Sequence, residues 1–120
     1  MGKRIRAQRR GSSPKNRVNS HRFPGANRLP RKDGEVGEVV DMIHSPVHTG
    51  PLAKLKFEDG TTGHVAATEG MFVGQKVAFG ENVSLRPGNV TILSEIPEGT
   101  AICNVECRPG DGGKFARSGG

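Results

Sequence analysis

Leu52-Ala53-Lys54-Leu55-Lys56-Phe57-Glu58-Asp59-Gly60-Thr61-Thr62-Gly63-His64-Val65-Ala66-Ala67 reads as two strands joined by a tight turn. Ala53, Leu55 and Phe57 fall on one face and Leu52, Lys54 and Lys56 on the other, the period of two that an extended chain imposes. Asp59-Gly60 between strand-like runs signals a two-residue hairpin turn in which both residues take positive φ. Upstream, Val36-Gly37-Glu38-Val39-Val40-Asp41-Met42-Ile43-His44 is a short β-branched strand, followed by a loop carrying Pro46 and Pro51. Downstream, the run from Met71 to Gly80 holds a turn and a strand. Asn89-Val90-Thr91-Ile92-Leu93 is a fifth apolar piece, and Ala101-Ile102-Cys103-Asn104-Val105-Glu106-Cys107 a sixth. Short strands with turn signals between them, and no useful helical period, predict a small all-β barrel or sandwich of five to six strands. A closed barrel suits a body of this size because it hides its edges. Phe57, Phe72 and Phe79 are expected in its core.

The charge is distributed unevenly. Residues 1–32 hold eleven Lys or Arg and no Asp or Glu. Residues 33–120 hold seven basic and twelve acidic side chains, so a −5 body carries a +11 arm and the 120-residue chain is +6. With seven apolar residues and no period, the arm cannot offset its ordering entropy, and it is expected to be disordered or extended until wrapped around phosphates. Its Lys3, Arg4, Arg6, Arg9, Arg10, Lys15, Arg17, Arg22, Arg28, Arg31 and Lys32 are candidates for phosphate neutralisation, with His21 among them. Arginine outnumbers lysine eight to three there, and its planar fork suits bidentate contacts. A solvated tail serving solubility is the plainer reading, but a stretch of this length without one acid is unusual for that purpose.

Other partners fit less well. No apolar run approaches bilayer-spanning length, residues 1–10 lack the hydrophobic segment of a secretory signal, and no amphipathic helix is available for a membrane surface. An organelle presequence is argued against by Gly11, Pro14, Pro24, Gly25 and Pro30. Single-strand binders stack bases on aromatic platforms, whereas this chain has no Trp, no Tyr and five Phe, so stacking is expected to be a minor contribution. Double-stranded DNA calls for a recognition helix that is not found. Folded RNA, met through phosphates and 2′-hydroxyls, fits better.

His44-x3-His48 and Cys103-x3-Cys107 have zinc-ligand types. On a strand, however, Cys103 and Cys107 stand ~13 Å apart, too far for one metal. They read as packed, reduced thiols, and no metal or cofactor is expected. Gly110-Asp111-Gly112-Gly113-Lys114-Phe115 fails the phosphate-loop pattern, since Arg108 and Phe115 occupy required positions. Its glycines are expected to allow close backbone approach to RNA, with Lys114 and Arg117 as charge partners. No acid–base pair, nucleophile or cofactor loop can be assembled, so the chain is not expected to be an enzyme or to take a small-molecule substrate.

Several stretches together resemble one family. Ile96-Pro97-Glu98-Gly99-Thr100, Asn104-Val105-Glu106 and Pro109-Gly110-Asp111-Gly112-Gly113-Lys114-Phe115-Ala116-Arg117-Ser118 resemble, in order and spacing, the universal L-two family of large-subunit ribosomal proteins. Met1-Gly2-Lys3-Arg4-Ile5-Arg6, Gln8-Arg9-Arg10-Gly11 and Ser20-His21-Arg22-Phe23 resemble its archaeal and eukaryotic-cytosolic branch. The resemblance implies an oligonucleotide-binding (OB) type barrel, then an SH3-like barrel, with basic extensions. It also implies large-subunit (23S-type) rRNA and neighbouring ribosomal proteins as partners in the cytoplasm. The implied role is a structural one in subunit assembly, subunit association and the peptidyl transferase region. Carried over by position, residues 1–32 are the rRNA-binding extension, 33–107 the OB-type barrel, and 108–120 a linker toward an SH3-like barrel. The family continues past residue 120, and its reach toward the peptidyl transferase centre lies in that later part. The sequence is therefore expected to be a first portion, truncated or naturally short. The alternative is a free-standing OB-type RNA-binding module, such as an RNA chaperone or translation factor.

Overall fold

The computed structural model describes residues 2–11, 13–17 and 19–118. Met1, Ser12 and Val18 of the basic stretch, and Gly119 and Gly120 of the Gly-rich stretch, lie outside the described residues. Four strands form one open antiparallel sheet: β1 (Val36–Ile43), β2 (Leu52–Phe57), β3 (Thr62–Ala66) and β4 (Lys76–Ala78), in the order β3-β2-β1-β4.

The alternation in β2 does what its period demands. Ala53, Leu55 and Phe57 are buried while Lys56 is exposed, and Leu52 on the other face is buried too. The turn into β3 is longer than the Asp-Gly signal implies. Gly60 N–H donates to the Phe57 carbonyl at 3.0 Å and Phe57 N–H to the Thr61 carbonyl at 3.0 Å. Only Gly60 takes positive φ, +84°; Asp59 does not. This is a three-residue loop, Glu58-Asp59-Gly60, closed by a left-handed glycine. Asp59 adds a local brace, its carboxylate accepting from Thr61 N–H at 2.9 Å and from the Thr61 hydroxyl at 2.6 Å.

In β1 the register slips at Val40, between the pairs Val39↔Leu55 and Asp41↔Lys54. The extra residue keeps Val39 wholly buried and turns Val40 outward. Around Val39 the core gathers Ala53, Leu55, Phe57, Val65, Val77 and Phe79, with the Phe57 and Phe79 rings tilted at 5.6 Å. The Phe57 ring covers its cross-strand partner Gly37, where a Cβ would stand 3.0 Å from the ring edge.

Three sequence-based expectations are corrected. Phe72 is not core: it is 62% exposed, and Met71 packs against the core in its place. The fifth and sixth apolar pieces are not strands. Val90 makes one bridge to Phe79, after which Glu95 accepts from the Thr91 hydroxyl and Asn82 N–H and folds the chain into the short 3-10 turn Leu93–Glu95. Val105 makes one bridge to Phe115, and Asn104 at φ +55° breaks the extended run between Ile102 and Val105. Cys103 and Cys107 are accordingly exposed and lie on no strand. The class is all-β, with four strands among the described residues.

Candidate nucleic-acid interface

The arm divides where its charges find partners. From residue 2 to 22 its described residues are exposed, with Ser13 half-buried. It holds the helix α1 (Arg6–Arg10) and the 3-10 turns Pro14–Asn16 and Ser20–Arg22. Arginine is a good helix former, and Arg9 and Arg10 sit favourably at the negative end of the α1 dipole. With five residues, no buried side chain and no side-chain cap, α1 lacks the tertiary support that helices of this length need. Lys3, Arg4, Arg6, Arg9, Arg10, Lys15, Arg17, His21 and Arg22 are all exposed here.

Residues 27–32 behave differently, being stitched to the body. Arg28 N–H donates to the His64 carbonyl of β3 at 3.2 Å, and Leu29 N–H to the Gly112 carbonyl at 3.0 Å. Lys32 pairs with Asp59 on the hairpin loop and with Glu35 at 3.4 Å, its ammonium 5.4 Å from the centre of the Phe57 ring. The Asp59 hydrogen bond is the main cause that raises the Lys32 pKa. In return, the Lys32 and Thr61 hydrogen bonds lower Asp59 from 3.8 to about 2. Lys32 is thus engaged by two carboxylates of the same chain.

The Gly-rich loop forms the other side of this seam. Gly110, Gly112 and Gly113 all have φ between +81° and +93°. A Cβ on Gly110 would overlap the Arg31 guanidinium, one on Gly112 the Arg28 side chain, and one on Gly113 the Asn104 amide. Close approach accounts for these glycines, and the groups that come close are this chain's own Arg28, Arg31 and Asn104. The loop's amides are taken as well. Glu106 accepts from Gly110 N–H and Gly112 N–H, each at 3.0 Å. Asp111 accepts from Cys107 and Arg108 N–H at 3.0 Å and from Gly113 N–H at 3.1 Å. Burial works against the Asp111 charge, but the amides of Arg108, Gly113 and Cys107 and the Lys114 charge outweigh it and hold its carboxyl below the ordinary range. Two carboxylates thus occupy the nest that an anion would otherwise enter. Arg117 closes the seam, donating to the Gly113 carbonyl at 2.9 Å and to the carbonyl of the buried Asn27.

Of the sequence-chosen cations, those of residues 3–22 and Lys114 face solvent. Arg28 and Arg31 are exposed but lie across the loop, and Lys32 and Arg117 are structural clasps. The two loop carboxylates, Glu106 and Asp111, escaped sequence reasoning. The usable signal was an Asp set two residues before a glycine, the spacing of a side chain that caps its own turn.

The sequence matches the domain family described as "Ribosomal Proteins L2, C-terminal domain" over residues 86–120, which includes the whole Gly-rich loop. Over its full length it is 45% identical to the large ribosomal subunit protein uL2 of Archaeoglobus fulgidus, covering 52% of that protein. It is 47% identical to the uL2 of Haloarcula marismortui and 43% identical to that of Sulfurisphaera tokodaii, covering 52% and 51% of them. The chain spans about half the length of the curated relatives it matches.

Proposed function

The chain belongs to the uL2 family of large ribosomal subunit proteins, and we propose on that premise that it is a structural constituent of the large subunit that binds large-subunit rRNA. One observation supports this most directly: Lys32 and Arg117 are engaged within the fold, while the eight Lys and Arg of residues 3–22 stand exposed on a stretch without an acid. An exposed, unbalanced cationic segment draws its binding energy from releasing the counterions condensed on nucleic acid. The sheet is proposed as the open part of an OB-type barrel (33–107), flanked by the arm (1–32) and the Gly-rich linker (108–120). Neighbouring ribosomal proteins are the proposed protein partners, support of subunit assembly and association the proposed role, and the cytoplasmic ribosome the proposed location. Crosslinking the chain to archaeal large-subunit rRNA, with unrelated structured RNA and poly(U) as competitors, tests the reading. Crosslinks confined to a few rRNA sites that survive both competitors are expected. Scattered crosslinks lost to poly(U) point instead to a general single-strand binder.

A further inference from the structure

We propose that Phe115, with Arg108 and Lys114, forms a docking site for one unpaired nucleotide of RNA, the base stacking on the ring and its phosphate meeting the two cations. The inference deepens the rRNA-binding reading and rests on it. Phe115 is 58% exposed, yet its backbone N–H and carbonyl are both hydrogen-bonded. Val105 N–H donates to the Phe115 carbonyl at 3.0 Å, and Phe115 and Lys114 N–H donate to the Val105 carbonyl at 2.9 and 2.8 Å. A large apolar ring thus stands on held backbone but is left uncovered, which costs hydration energy unless something stacks on it.

Its surroundings select the occupant. Phe115 shares a shallow depression with Cys107, Arg108, Asp111 and Lys114. Arg108 and Lys114 are exposed and supply positive charge at its rim. The one carboxylate in the depression, Asp111, accepts from three backbone amides of its own loop and faces Lys114, so two cations against one anion leave the depression net positive. An aromatic face beside two cations complements a base attached to its phosphate. A purely apolar protein knob would leave Arg108 and Lys114 without use. The Arg108 backbone is held by Asp111 and the Lys114 and Phe115 backbone by Val105, so the site is preorganised.

The test uses the full chain and its Phe115→Ala, Phe115→Tyr and Lys114→Gln variants. Binding is measured to archaeal large-subunit rRNA, to an eight-nucleotide oligoadenylate and to an abasic ribose-phosphate octamer of equal charge. Phe115→Ala is expected to weaken oligoadenylate binding by about 5- to 160-fold, the span of one base–aromatic stack, with an unchanged salt slope. Phe115→Tyr restores the affinity, and the abasic octamer does not distinguish Phe115→Ala from the parent chain. Lys114→Gln lowers the salt slope by about one and weakens both octamers alike. Unchanged oligoadenylate and rRNA affinity in Phe115→Ala overturns the nucleotide site while leaving rRNA binding standing, and marks the ring as a protein contact. Loss of rRNA binding by the parent chain itself overturns both readings.

Discussion

Deleting residues 1–22 is expected to flatten the salt dependence of rRNA binding while the sheet stays folded. The cut falls before residues 27–32, because those residues hold the body together through Arg28, Leu29 and Lys32. Eight cations lie on the removed segment: Lys3, Arg4, Arg6, Arg9, Arg10, Lys15, Arg17 and Arg22. Each phosphate neutralised contributes about 0.7 to 0.9 to the slope of log affinity against log salt. If half the eight reach phosphate, the deletion lowers that slope by about 3. Over a fourfold rise in salt, the affinity lost should then shrink by on the order of 60-fold. The contrast is Lys32→Gln, which removes a cation already paired with Asp59 and Glu35 and should leave the slope unchanged to within about 0.3. Fluorescence anisotropy of a labelled large-subunit rRNA fragment, titrated at four KCl concentrations, reads both. An unchanged slope in the deletion, or an equal flattening by Lys32→Gln, refutes the division of the arm into an exposed and a clasped part.

Three further outcomes follow from the same geometry. Gly113→Ala should destabilise the chain by at least ~2 kcal/mol more than Gly99→Ala, measured as the urea midpoint. Both residues have positive φ, but only Gly113 has Asn104 against it, and equal losses would mean that strain alone matters. Asp59 should titrate near 2 by carboxyl NMR, moving toward 3.8 in Lys32→Gln. Its folded pKa is depressed, so the clasp is fully present above the ordinary carboxylate pKa and is lost only as the pH falls through about 2; a midpoint near 4 in the parent chain contradicts the ion pair. Asp111→Asn should speed hydrogen exchange at the amides of Cys107, Arg108 and Gly113 without affecting those of β2, and uniform exchange would show that the loop does not depend on that carboxylate.

The four sheet strands were legible because each carries its own local signal. Alternation in residues 52–57, the Gly60 turn and the β-branched run of 36–43 need only near neighbours to be read. The fifth and sixth pieces have the same composition and fail as strands. At residues 91–95 the Thr91–Glu95 hydrogen bond bends the chain away, and at Asn104 one left-handed residue interrupts the extended run. Neither event alters the pattern of apolar residues, so a reading by periodicity passes over both. Phe72 misled for a related reason: in a turn beside Met71, period-two bookkeeping does not decide which of two apolar neighbours faces inward.

The candidate interface was legible in its charge and illegible in its pairing. Eleven cations without an acid can be counted, and the count pointed to a polyanion. Which cations are free depends on contacts across long sequence separations. Lys32 meets Asp59, and Arg117 reaches back to the carbonyl of Asn27. Glycines 110, 112 and 113 turn on the same point. A run of glycine reports that something comes close to the backbone but carries no record of what. Here the visitors are Arg28, Arg31 and Asn104, with the freed amides already spent on Glu106 and Asp111. The Gly-rich loop thereby buttresses residues 27–31, and the RNA contact proposed for it falls outward on Arg108, Lys114 and the uncovered ring of Phe115.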